Sequence, residues 1–112
     1  MQTHTQRFQD LPIYQLAFQA SVEVFASAQA FADAPEAPDL IRRLLAQSRK
    51  VRAHIARAWG KRQDQVALVG ELCAAQDAAS EVQRWIEATV LEGYLSADAG
   101  QTLYDHYRAI HT

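Results

Sequence analysis

From Leu68 to Val90, apolar residues recur in steps of three and four: Leu68, Leu72, Ala75, Ala79, Val82, Ile86 and Val90. At about 100° per residue all of them fall on one continuous stripe, which is the pattern of a long helix with one side turned to a core. Such a helix is stable only when other helices cover its stripe. The stripe therefore sets the fold class, and the rest of the chain has to supply its partners.

Punctuation divides the 112 residues into four segments. Asp10 followed by Pro12 reads as a helix cap with proline in the first turn, and the pattern continues to Ala32. The prolines of DAPEAPD (33–39) mark a turn. Asp39 is placed to cap a second helix of about 22 residues that stops at Gly60. Asp64 caps a third helix to Leu91, the EGY of 92–94 breaks it, and Ser96 caps a short fourth helix reaching Ile110. The expected helices thus span about 10–32, 39–60, 64–91 and 97–110, joined by short loops that make neighbours antiparallel. With 49% hydrophobic residues, only four glycines and three prolines, the composition is that of closely packed helices. The chain is long enough for one domain, 1–112, and too short for two.

Several function classes are excluded or disfavoured at this level. The single Cys73 rules out an internal disulfide framework and a multi-cysteine metal site, which suits a reducing cytosol. No stretch approaches the roughly 18 apolar residues of a membrane span, and MQTHTQRFQD lacks the apolar core of a secretory signal, so a cytoplasmic location is expected. None of the four histidines follows a Glu by three residues, as a di-iron bundle would require. His54 lies among arginines, His106 sits in the short helix, and His4 and His111 lie near the ends. No cysteine-activating base, phosphate loop or Ser/His/Asp pattern stands out, so no catalytic, cofactor or metal residue is assigned.

Apolar residues exceed what one core face needs. Helix two is simply amphipathic, with Leu40, Leu44, Val51, Ile55 and Trp59 in one arc. Helix three carries Ala67, Ala74, Ala78 and Trp85 on a second side. Helix one carries Tyr14, Phe18 and Phe25 beside its line of Ile13, Ala17, Val24 and Phe31, with Leu16 and Val22 at the edges. A helix apolar over about 200° is buried on two sides, either by a wide core or by another subunit. Tyr14, Phe18, Phe25, Ala67, Ala74, Ala78 and Trp85 are therefore the candidate oligomer interface.

The residues also carry a resemblance. RFQDLPIYQLAFQASVEVF (7–25) is similar to the opening F-x-D-L-x-x-W-Q-x-A of the four helix bundle proteins that include the 23S ribosomal RNA intervening-sequence proteins, with Asp10, Leu11, Gln15 and Ala17 in place and Tyr14 where tryptophan is usual. VRAHIARAWGKR (51–62) resembles that family's S-N-I-A-E-G-x-G-R segment, with His54 for Asn, Arg57 for Glu and Ala58 for Gly. AAQDAASEVQRWIEATVLEGYLS (74–96) supplies Glu81 and the closing Gly93, Tyr94 and Leu95. The resemblance implies an all-α, antiparallel up-down four-helix bundle assembled as a ring-like homopentamer, in a family without established catalysis. Its relatives include the accessory variability proteins of diversity-generating retroelements, whose positively charged ring surface is thought to engage nucleic acid and a reverse transcriptase.

Charge is unevenly distributed. Residues 42–62 hold eight of the eleven Lys and Arg and no Asp or Glu, although the chain's net charge is −2. Arg43, Lys50 and Arg57 stack along one face of helix two, with Arg42 and Arg49 on its flank and Lys61 at its end; these residues are the candidate nucleic-acid surface. Helix three is acidic, and its carboxylates could equally pair with the stripe across helices or subunits. The acidic net charge favours pairing. The sequence thus points first to a non-enzymatic homo-oligomeric interaction module with a protein partner. The alternative is a nucleic-acid-binding accessory protein, and an enzyme comes third.

Overall fold

The computed structural model describes residues 7–35 and 37–111. A 3-10 turn, Phe8–Asp10, leads into α1 (Pro12–Gln29); α2 (Ala37–Gly60), α3 (Gln65–Leu91) and α4 (Ala97–Arg108) follow, and a 3-10 turn, Ala109–His111, closes the described chain. The four-helix expectation holds, and the differences lie at the helix ends.

Asp10 closes the 3-10 turn instead of capping α1: Leu11 is the cap, its side chain cannot accept a hydrogen bond, and Pro12 opens the helix. Proline lacks an N–H to be satisfied, so the missing polar cap costs little there. The C-terminal end of α1 comes at Gln29, three residues early, because the backbone then tightens into i→i+3 hydrogen bonds from Ala30 to Ala34. Asp39 likewise does not cap α2. It lies in the first turn, where its carboxylate accepts from the guanidinium groups of Arg42 and Arg43. Arg43 first, and then Arg42, hold Asp39 below the usual carboxylate range. Asp64 and Ser96 do cap as expected, accepting from the Ala67 and Ala99 N–H groups at 3.2 and 3.1 Å.

The end of α3 is a Schellman turn. Gly93 takes φ of 83°, Tyr94 N–H donates to Thr89 O and Gly93 N–H to Val90 O. The turn aims the Tyr94 ring at Phe31, just beyond α1, where the two rings stack 5.4 Å apart.

Among the described residues, the backbone of α1 packs on those of α2 and α4, and that of α3 on α2 and α4, while the diagonal pairs meet only through side chains such as Tyr107 of α4 beside Ser48 of α2. The core lies within this square. Val24 of α1, Val51 and Ile55 of α2, Val82 and Ile86 of α3 and Tyr107 of α4 are all almost fully buried, and Ile110 of the last turn closes one side. The central parts of the expected stripes, Leu44, Val51 and Ile55 of α2 and Ala75, Ala79, Val82 and Ile86 of α3, face inward, while Leu40, Trp59, Leu68, Leu72 and Val90 toward the ends are half-buried. Gly100 is where α3 and α4 come closest: a methyl group built on it would overlap the Val90 side chain.

Candidate interaction surface

The second apolar faces of helices one and three have different fates. On α3, Ala78 is only 5% exposed within the single chain, and Trp85 is half-buried against the core cluster. Arg43 of α2 lies over the Trp85 indole, and Glu71, which shares that side of α3, is bonded to His54 and Lys61 of α2. The line of Ala67, Ala74, Ala78 and Trp85 thus turns toward α2. Of the residues expected to lie bare in a monomer, Ala78 is buried, while Ala67, Ala74 and Trp85 are half-buried. In a square of helices each member has neighbours on two adjoining sides, so its buried arc approaches 180°. Small residues along that arc let α2 and α3 approach closely.

On α1 the surplus stays uncovered. Phe18, Val22 and Phe25 are 48, 44 and 53% exposed and follow one another at i, i+4 and i+7. Tyr14 continues the row toward the helix start, half-buried, between Phe8, in an edge-on contact at 4.9 Å, and Phe18, stacked at 6.5 Å. Beside the row runs a groove whose other wall is α2, formed by Leu45, Ser48, Arg49 and Arg52. The Arg52 guanidinium sits 5.6 Å from the Phe18 ring centroid.

Unmet polar groups gather behind this groove. Arg52 Nε and the Tyr107 hydroxyl are buried without a hydrogen-bond partner among the described residues. Burial pushes the Tyr107 hydroxyl pKa up, while Arg52 and Ser48 beside it pull weakly the other way; Ser48 itself donates to Leu45 O. His106 Nδ1 lies 3.1 Å from Glu23 Oε1, but without the angle of a hydrogen bond. Sequence periodicity gives no sign of these groups, because they depend on three helices meeting.

The basic residues of α2 do not form one open stripe. Arg42 and Arg43 are held by Asp39, and Lys61 donates to Glu71 at 2.6 Å. His54 Nδ1 lies 2.8 Å from the other Glu71 oxygen and must carry the proton there, since a carboxylate only accepts. That proton leaves nothing for the nearby Arg57 to bond on His54. Lys61 first, then His54, lowers the Glu71 pKa to about 2. Arg49, Lys50 and Arg57 remain exposed, without an ion pair among the described residues, along a shallow depression with Ala53 and His54. Cys73 is exposed, no three of His, Cys, Asp and Glu converge among the described residues, and no described helix is long and apolar enough to cross a membrane.

The fold has a solved counterpart. A crystal structure of a protein of unknown function from the S23 ribosomal protein family of Bacteroides thetaiotaomicron superposes with a TM-score of 0.80, over 88% of this chain and 90% of that one, at 14% identity. At that identity the likeness establishes the helical arrangement alone. No protein-family model matches the sequence, and no curated protein matches it.

Proposed function

We propose that this protein is a non-enzymatic assembly module: an antiparallel up-down bundle that associates with copies of itself through the bare face of α1 and, once assembled, presents a surface to a protein partner. The observation that carries this reading is the row Phe18, Val22 and Phe25, three large apolar side chains half in water on one helix face of a chain whose other apolar stripes are covered. The ring of five is the stoichiometry that the family resemblance implies, and the fold shared with a protein of the S23 ribosomal protein family supports placing the chain near that group. Light scattering on the purified protein tests the reading: an assembled species at micromolar concentration is expected, and a stable monomer of 12.5 kDa would remove its basis.

A second reading is supported by Arg49, Lys50 and Arg57, whose charges no carboxylate of the described residues neutralises. Repeated around an assembly, they form a cationic band suited to a phosphate backbone. Titration with ribosomal RNA fragments and with mixed-sequence duplex DNA at two salt concentrations tests it. Binding that weakens steeply with salt, and is lost in the double variant Lys50→Glu with Arg57→Glu, supports a nucleic-acid role; unchanged affinity in that variant rejects the band as the site.

A further inference from the structure

The groove between α1 and α2 makes two demands on whatever fills it. Its apolar wall, Phe18, Val22 and Phe25, needs a large apolar side chain. Its cationic wall, Arg49 and Arg52, carries guanidinium groups that take part in no ion pair among the described residues, and calls for a carboxylate. An occupant must therefore carry an exposed apolar side chain flanked by unpaired carboxylates.

The chain's own surface offers one such place. Outside the groove, the exposed large apolar residues among those described are Leu16, Val66, Val69 and Leu91. Leu16 has glutamines at Gln15 and Gln19 beside it, and the carboxylates beside Val66 and Val69 in sequence, Asp64 and Glu71, are engaged, the first in capping α3 and the second with His54 and Lys61. Leu91 differs on each count. It is 85% exposed at the last position of α3, with Glu87 one turn before it and Glu92 directly after it, both exposed. Neither carboxylate takes part in an ion pair among the described residues, and the negative end of the helix dipole adds to their field.

We infer that the α1/α2 groove of one copy receives the Leu91 corner of a second copy, with Leu91 on the Phe18–Phe25 row and Glu87 or Glu92 on Arg52 and Arg49. The inference rests on the self-association proposed above and specifies its two halves. Leu91 and Glu87 belong to the α3/α4 side, where they line a depression with Ala97 and Tyr104, and the groove lies on the opposite, α1/α2 side of the square. Contact between two different patches on opposite sides is head-to-tail, the arrangement that generates rings when its rotation closes.

A head-to-tail contact has a signature in mixing experiments. Phe25→Asp destroys the groove and leaves the corner, whereas Leu91→Asp destroys the corner and leaves the groove. Both side chains are more than half exposed, so each variant should keep its helical circular dichroism. Each alone should scatter light as a 12.5 kDa monomer, and an equimolar mixture should contain a species of twice that mass, because one intact groove can still meet one intact corner. That species also reports that both variants are folded. If Phe25→Asp is monomeric but Leu91→Asp keeps the wild-type mass, the groove takes some other part of the chain and the inference fails while self-association stands. If both variants are monomeric and the mixture stays so, the contact is not head-to-tail, and the inference fails. A monomeric wild-type protein overturns the inference and the assembly reading together.

Discussion

The guanidinium of Arg43 lies 4.8 Å from the Trp85 ring centroid, and its Nε donates to Asp39 at 3.1 Å, so one arginine ties the start of α2 to the C-terminal part of α3. Arg43 belongs to the basic run of α2, and Trp85 to the second apolar side of α3. Their contact gives both a role inside the single chain.

Trp85→Ala should therefore weaken the fold and leave the assembly's composition alone. Loss of a half-buried indole and its cation contact should cost about 2–3 kcal/mol. Urea denaturation should show the earlier midpoint while light scattering of the folded fraction keeps the wild-type mass. Trp85→Asp should lose helical signal as it destabilises. Dissociation with full helicity would return Trp85 to the interface.

Acid should loosen the α2/α3 contact through Glu71. Its folded pKa, near 2, is below its ordinary value of 4.5, so the stabilisation is fully present above the ordinary value and fades as pH falls from there toward 2. Thermal melts at pH 7 and pH 3 should show a smaller fall in Tm for Glu71→Gln than for the wild type. An equal fall in both would exclude Glu71 as a source of the acid sensitivity.

Gly100→Ala tests the close approach of α4 to α3. Alanine favours a helix by up to about 1 kcal/mol, but here its methyl group would meet Val90, and overpacking of this kind costs about 1–3 kcal/mol. A net loss of stability is expected, with Gly100→Ala plus Val90→Ala recovering part of it. A gain from Gly100→Ala alone would mean that the helices part without penalty.

Tyr107→Phe removes a buried hydroxyl that lacks a hydrogen bond. Because that group carries a desolvation cost without return, the variant should equal or exceed the wild type in stability, by up to about 1 kcal/mol in chemical denaturation. A loss of stability would mean that a water or a partner group satisfies the hydroxyl in solution.

Much of the fold is legible in the sequence because helix period is a local property. The stripes from Leu44 to Ile55 and from Ala75 to Ile86 face the core, while Leu68, Leu72 and Val90 at the two ends of the second are only half-buried, and Asp64, Ser96 and Gly60 mark helix ends where expected. Asp10 and Asp39 misled for a local reason too: a carboxylate two or three residues from a helix start can cap, or it can pair with nearby arginines. What the sequence does not reveal is which neighbour covers a second apolar side. The alanine ridge of α3 and the aromatic row of α1 look alike as patterns, and only the square packing separates them, α2 lying against the first and no described residue covering the second. Pairing of the α3 carboxylates with the basic run is legible, but not that Glu71 is the one that pairs, because its partners, His54 and Lys61, are distant in sequence and reach it only across the helix pair.

The packing of α1 against both α2 and α4 also bears on the order in which the molecule can form. Ala17, Ala20 and Val24, synthesised early, share one core with Leu103, Tyr107 and Ile110 of the later elements, which pack against α1. During translation the first two helices can meet as a hairpin, but one flank of that hairpin stays wet until the final turns leave the ribosome. Closure is then a late step for the whole domain, and a nascent chain truncated before α4 should be the species that chaperones hold.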